Sequence, residues 1–190
     1  MRFKWMVSLF GVMGLVGFIG ATTVADAALP SGPKYTLTRA DYGKSFGTAP
    51  NAADMNVIGV NIGTPVSAVI KSLGKPDSWE NKKHGLSAII RYGGIAFGLI
   101  GRGNNATVAN IVLTNRDATT ARGVAVGDSL EKVYEVYGTP DFIIKEKQAW
   151  IYGSLDHPSG NRTGITFGYN DNNRVTEISI DNTDVTGDLW

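Results

Sequence analysis

The sequence predicts an α+β protein built as two tandem units, each a helix packed on a three-stranded antiparallel sheet. Three observations carry that expectation. Two stretches 64 positions apart, Val60–Asp77 and Val124–Asp141, agree at six of eighteen positions, and both end in Gly-x-Pro-Asp. Each is followed by apolar residues that alternate with period two, the mark of half-buried strands. Glycine is frequent at 24 residues and charge is low at 18%, which suits short strands and many turns.

The chain opens on a basic segment with Arg2 and Lys4, an uncharged apolar run, and an Ala25-x-Ala27 site. That order predicts a signal peptide over residues 1–27, cleaved near Ala27, and an exported protein, periplasmic or extracellular. Without Arg2, Lys4 and Asp26, the 18 basic and 17 acidic side chains become 16 of each. A neutral chain with no basic run lacks the electrostatic footprint of a nucleic-acid binder. Cysteine is absent. This excludes disulfides, thiol catalysis, thiolate metal sites and a lipid anchor on cysteine. No cofactor is indicated.

Residues 28–56 have weak periodicity and read as a partly ordered lead-in with a strand over Tyr35–Thr38. The first unit spans 57–115 and the second, with a C-terminal tail, 116–190. Thr64 and Asp128 stand where an N-cap is needed, and Asp128-Ser-Leu-Glu131 has the form of a capping box. The helix bodies place Val66, Val69, Ile70 and Leu73, then Leu130, Val133, Tyr134 and Tyr137, at helical spacing. Gly74 and Gly138 suit a left-handed stop, and Pro76 and Pro140 prevent continuation.

The expected strands follow in matching order. Leu86, Ala88, Ile90 and Tyr92 share a face, as do Trp150 and Tyr152. Ile95, Phe97 and Leu99 correspond to Ile165, Phe167 and Tyr169; Ile111 and Leu113 correspond to Ile178 and Ile180. The polar runs Gly101–Ala106 and Asn170–Asn173 read as hairpin turns.

This pattern of Gly127, Ser129, Val133, Gly138, Pro140, Trp150, Tyr152, Phe167, Val175 and Ile178 resembles the SmpA/OmlA (BamE-like) family of outer-membrane assembly proteins. It is also similar to the tandem β-lactamase-inhibitor proteins. The resemblance covers residues 57–182. It implies a non-enzymatic protein-binding module in envelope assembly, or alternatively an inhibitor of an extracytoplasmic enzyme, with a protein partner in either case.

Gly127-Asp-Ser-Leu130 also matches the tetrapeptide of a serine-hydrolase family, with Ser129 as nucleophile. That family needs an Asp-x-x-His near the C-terminus, which this chain lacks, and Pro65 replaces Ser129 in the first copy. A helix start explains both copies, so no catalytic residue is assigned. His84 and His157 are read as exposed loop residues, and no metal site is assigned. The oxygen-rich Asn170–Arg174 and Asp181–Asp184 lack the pattern of a calcium loop.

Small residues recur on the sheet face away from the helices: Gly94, Ala96 and Gly98, then Gly164, Thr166 and Gly168. Strands normally carry larger side chains, so another surface is expected to approach closely. These six, with Trp79 as a rim anchor, are the candidate partner-binding residues. The role of Trp190 is left open.

Overall fold

A computed structural model describes residues 28–81, 86–157 and 162–182. The signal segment, His84 and Trp190 lie outside the described residues. In chain order the elements are β1 (Lys44–Phe46), α1 (Val66–Leu73), β2 (Ser78–Asn81), β3 (Ala88–Tyr92), β4 (Ile95–Ile100) and β5 (Thr107–Leu113). Then come α2 (Leu130–Tyr137), β6 (Phe142–Ile144), β7 (Ala149–His157), β8 (Arg162–Tyr169) and β9 (Val175–Asn182).

The nine strands among the described residues form one antiparallel sheet, in the order β1-β7-β8-β9-β5-β4-β3-β2, with β6 also on β7. This overturns the expected pair of helix-plus-three-strand units, and with it the SmpA/OmlA and inhibitor-protein resemblance. The cause is the pairing of β5 with β9 over Asn110↔Asp181 to Leu113↔Ile178. Each of these strands would have been an open edge in a separate unit. Joining them satisfies both backbones and removes two unpaired edges. One apolar cluster then crosses the seam, including Phe97, Ile111 and Leu113 with Phe167, Ile178 and Ile180.

Short strands β2 and β6 follow each Gly-x-Pro-Asp stop and add a fourth strand beside each helix. Sequence periodicity missed them because four and three residues are too few to show alternation. The helices begin one residue later than expected. Pro65 and Ser129 occupy the N-cap positions, and the Ser129 hydroxyl accepts the Lys132 N–H at 3.3 Å. Thr64 instead accepts the Asn61 N–H. Asp128 accepts the Ala125 N–H, so no capping box forms there. Gly74 and Gly138 stop the helices with φ of 83° and 74°, where a side chain would be strained. Tyr92 and Tyr152 donate to the carbonyls of Gly74 and Gly138 at 2.8 and 2.9 Å, tying each helix end to the sheet.

The lead-in is built onto the second half of the sheet. Its strand is β1, not Tyr35–Thr38, and it pairs with β7 at Lys44↔His157 to Phe46↔Leu155. Lys34 and Tyr35 donate backbone N–H groups to Pro140 and Asp141 carbonyls at 2.9 and 3.0 Å. Asp54 holds Arg122 through two 2.7 Å bonds, and the guanidinium lies 4.8 Å over the Tyr137 ring. His157 belongs to β7 rather than to a loop.

Candidate binding groove

Residue Trp79 sits on β2, opposite Ile90 of β3. Ile90 is fully buried beneath α1, so the Trp79 ring emerges on the helix side of the sheet. The eight-residue α1 leaves this last strand partly uncovered, and Trp79 stays 46% exposed. Its indole N–H donates to the Asn81 side chain at 2.6 Å, which fixes the ring beside the edge. Ile70, on the outer side of α1, is 36% exposed and faces the same space. Of five large apolar side chains exposed in the described residues, these two share one groove.

That groove has a volume of about 800 Å³ and is floored by Val66, Ala88 and Leu99. Asn81, Ser67, Ser87 and Arg102 supply polar groups at its margins. A second trough of about 450 Å³ continues from it along Gly74–Trp79, sharing Ile70 and Trp79. The outer edge of β2 ends the sheet, with no further strand among the described residues. An apolar floor, an aromatic wall and a sheet edge can hold an extended chain.

The sequence singled out Trp79 but placed it with the small residues of the other face. The register separates them: Trp79 shares the helix side with Ile90 and Phe97, whereas Ala96 and Gly98 point away opposite Arg91 and Ile89. The groove's other walls were missed. Ile70 was read only as one of the apolar residues at helical spacing in the first helix, and the incomplete cover of β2 is a tertiary fact.

The small residues have internal reasons. A Cβ on Gly98 would come within 2.7 Å of Leu86, which therefore lies over this far face rather than beside Ala88 as expected. Gly94 is approached by the Asn115 side chain, and Gly164 by the backbone of Tyr152 and Gly153. Gly168 has ordinary neighbours in Thr176 and Glu177. Ala96, Gly98 and Gly164 are buried, while Gly94, Thr166 and Gly168 are half-buried. At three of the six positions it is the chain itself that approaches closely.

The same far face carries a buried polar seam. The Asn110 amide donates to Ser179 at 3.2 Å and to Asp181, and Ser179 donates to Asp181 at 2.8 Å. Asp181 is only 2% exposed. Asp181→Ala strands two donors on β5 and β9. It is expected to cost about 2–3 kcal/mol, read as a lowered urea midpoint. A loss below about 0.5 kcal/mol would show that the seam contributes nothing.

The hydrolase-like segment has structural occupants at each position. Gly127 has φ of 88° and donates its N–H to Val175. Asp128 is held by Arg116 and Lys132, Ser129 caps α2, and Leu130 is 1% exposed in the core. Ser129 bridges Arg174 at the β8–β9 turn, beside the Ala149 end of β7. His157 is at the other end of that nine-residue strand, about 26 Å along it at ~3.3 Å per residue. Among the described residues no cluster of three His, Asp or Glu side chains could hold a metal. No helix among them is long and apolar enough to cross a membrane.

No protein-family model matches the chain, and no curated protein matches it. A solved structure is similar over 72% of this chain, with a TM-score of 0.44 and 12% identity. It is an extracellular protein containing an SCP domain from Bacillus anthracis str. Ames. The chain spans about half of that protein, 47% of its length.

Proposed function

We propose that this is an exported, non-enzymatic protein-binding module whose binding surface is the groove between α1 and β2. Export rests on the basic, apolar and Ala-x-Ala order of residues 1–27. Binding rests on one observation: Trp79 and Ile70 stand exposed on either side of an apolar groove at a sheet edge. Exposed tryptophan beside a pocket is the residue type that dominates binding energy at interfaces. The separation of Ser129 from His157 supports a non-catalytic role.

The test compares the native chain with Trp79→Ala and Ile70→Arg in recovery from an envelope fraction, followed by titration of the purified partner. Both side chains are surface-exposed, so the variants are expected to keep the native melting temperature within a few degrees. Each should weaken the purified partner's binding by tenfold or more. A partner that binds both variants as tightly as the native chain would remove the groove from the interface.

A further inference from the structure

The second half of the sheet has a surface equivalent to this groove, and there the chain seats a peptide of its own. Val66, Trp79 and Leu99 line the first groove; Leu130, Ile143 and Tyr169 hold the corresponding places in the second. The registers agree, since Trp79 pairs with Ile90 and Ile143 with Trp150. Along the second surface runs Leu29-Pro-Ser-Gly-Pro33. Leu29 packs against the core, Lys34 and Tyr35 bond to the backbone of Pro140 and Asp141, and Tyr35 stacks on Phe142 at 5.5 Å. The Lys34 ammonium meets the Asp141 carboxylate at 3.0 Å.

The apolar bed, the backbone track and the carboxylate of that seat have counterparts in the first half, while Ser78 stands where Phe142 stacks on Tyr35. The apolar bed is the 800 Å³ groove, and the Pro140–Phe142 track corresponds to Pro76–Ser78 along the adjoining trough. Asp77 stands where Asp141 does and is exposed. We propose that the first groove binds an extended, proline-bearing segment of another protein, with an apolar residue before the first proline and a basic residue after the second. The inference deepens the proposed function and rests on it.

Three features select this occupant. Prolines hold a chain extended and reduce the entropy lost on docking. The carboxylate of Asp77 complements a basic residue on the incoming chain, as Asp141 complements Lys34. A second copy of this chain is disfavoured because its own Leu29–Tyr35 segment is already engaged in cis.

The test uses a dye-labelled synthetic peptide with the sequence of residues 28–35, titrated into the full chain and read by anisotropy. Saturable binding is expected, weakened tenfold or more by Trp79→Ala and by Ile70→Arg, and several-fold by Asp77→Lys or by replacing both peptide prolines with alanine. Binding that survives both groove substitutions would be exchange at the second half and overturns the proposal. Equal affinity for the proline-free peptide overturns the assigned class. Self-association abolished by Ile70→Arg would make the occupant a second copy. Peptide binding that appears only when residues 183–190 are removed would make it that segment. Absence of peptide binding, with a purified partner still dependent on Trp79, rejects the peptide class and leaves the binding surface standing.

Discussion

Replacing Phe167 by alanine should destabilise the whole sheet by about 3–5 kcal/mol, because a large ring leaves a cavity that its neighbours cannot fill. Phe167 is fully buried, with the Tyr137 and Tyr152 rings 5.2 and 5.7 Å away. It lies between Trp150 on β7 and Ile178 on β9. In a domain of this size the melting temperature should fall by about 10 °C. The more telling readout is where stability is lost. β5 and β9 join the halves through a shared core, so unfolding should be one cooperative event. Amide exchange at Ile90 on β3 should therefore accelerate with that at Ile151 on β7, although Ile90 is four strands from the mutation. If β3 amides kept native protection while β7 amides lost theirs, the halves would be separate folding units and the seam a mere contact.

Legibility in the sequence followed the range of each interaction. Both helix stops were readable from Gly74, Pro76, Gly138 and Pro140, since a left-handed glycine and a missing N–H act locally. The faces of β4, β8 and β9 were readable because Phe97, Phe167 and Ile180 alternate over six or more residues. The seam was not, because nothing in Ile111 or Ile178 states whether its strand ends a sheet or continues one. Edge or centre is decided by a partner about 70 residues away. Helix starts were misread by one residue because Thr64, Asp128 and Ser129 are all competent caps; Thr64 instead accepts the Asn61 N–H, and Asp128 is taken up by Arg116, the Ala125 N–H and Lys132. For the groove, Trp79 was legible as an exposed aromatic. Its neighbours and face were not, since both depend on the β2–β3 register.

Substituting Asp128 should produce the second large effect, one that depends on pH. One carboxylate oxygen accepts from Arg116 at 2.8 Å; the other accepts from Lys132 at 2.6 Å and from the Ala125 N–H at 2.9 Å. Arg116 and Lys132 also donate to the Val126 and Gly123 carbonyls, so Asp128 organises the whole turn before α2. Burial on its own would raise this carboxyl, but Lys132, the Ala125 N–H and Arg116 together hold it down at about 2. A depressed carboxyl stabilises the fold above its unfolded value near 3.8 and loses that contribution as pH falls from there through about 2. The full shift corresponds to somewhat over 2 kcal/mol at ~1.4 kcal/mol per unit, and the exposure of Arg116 and Lys132 reduces it to about 1–2 kcal/mol. Losing the acceptor for the buried Ala125 N–H adds about 1 kcal/mol. Asp128→Ala should thus cost about 2–3 kcal/mol at pH 7, measured by urea unfolding, and Asp128→Asn somewhat less. Both differences from the native chain should shrink between pH 4 and pH 2. A gap that stayed constant over that range would mean the carboxylate charge contributes nothing. The same experiment bears on the hydrolase-like tetrapeptide: a carboxylate held ionised by two cations and an amide is committed to fastening a turn, and Ser129 beside it to starting a helix.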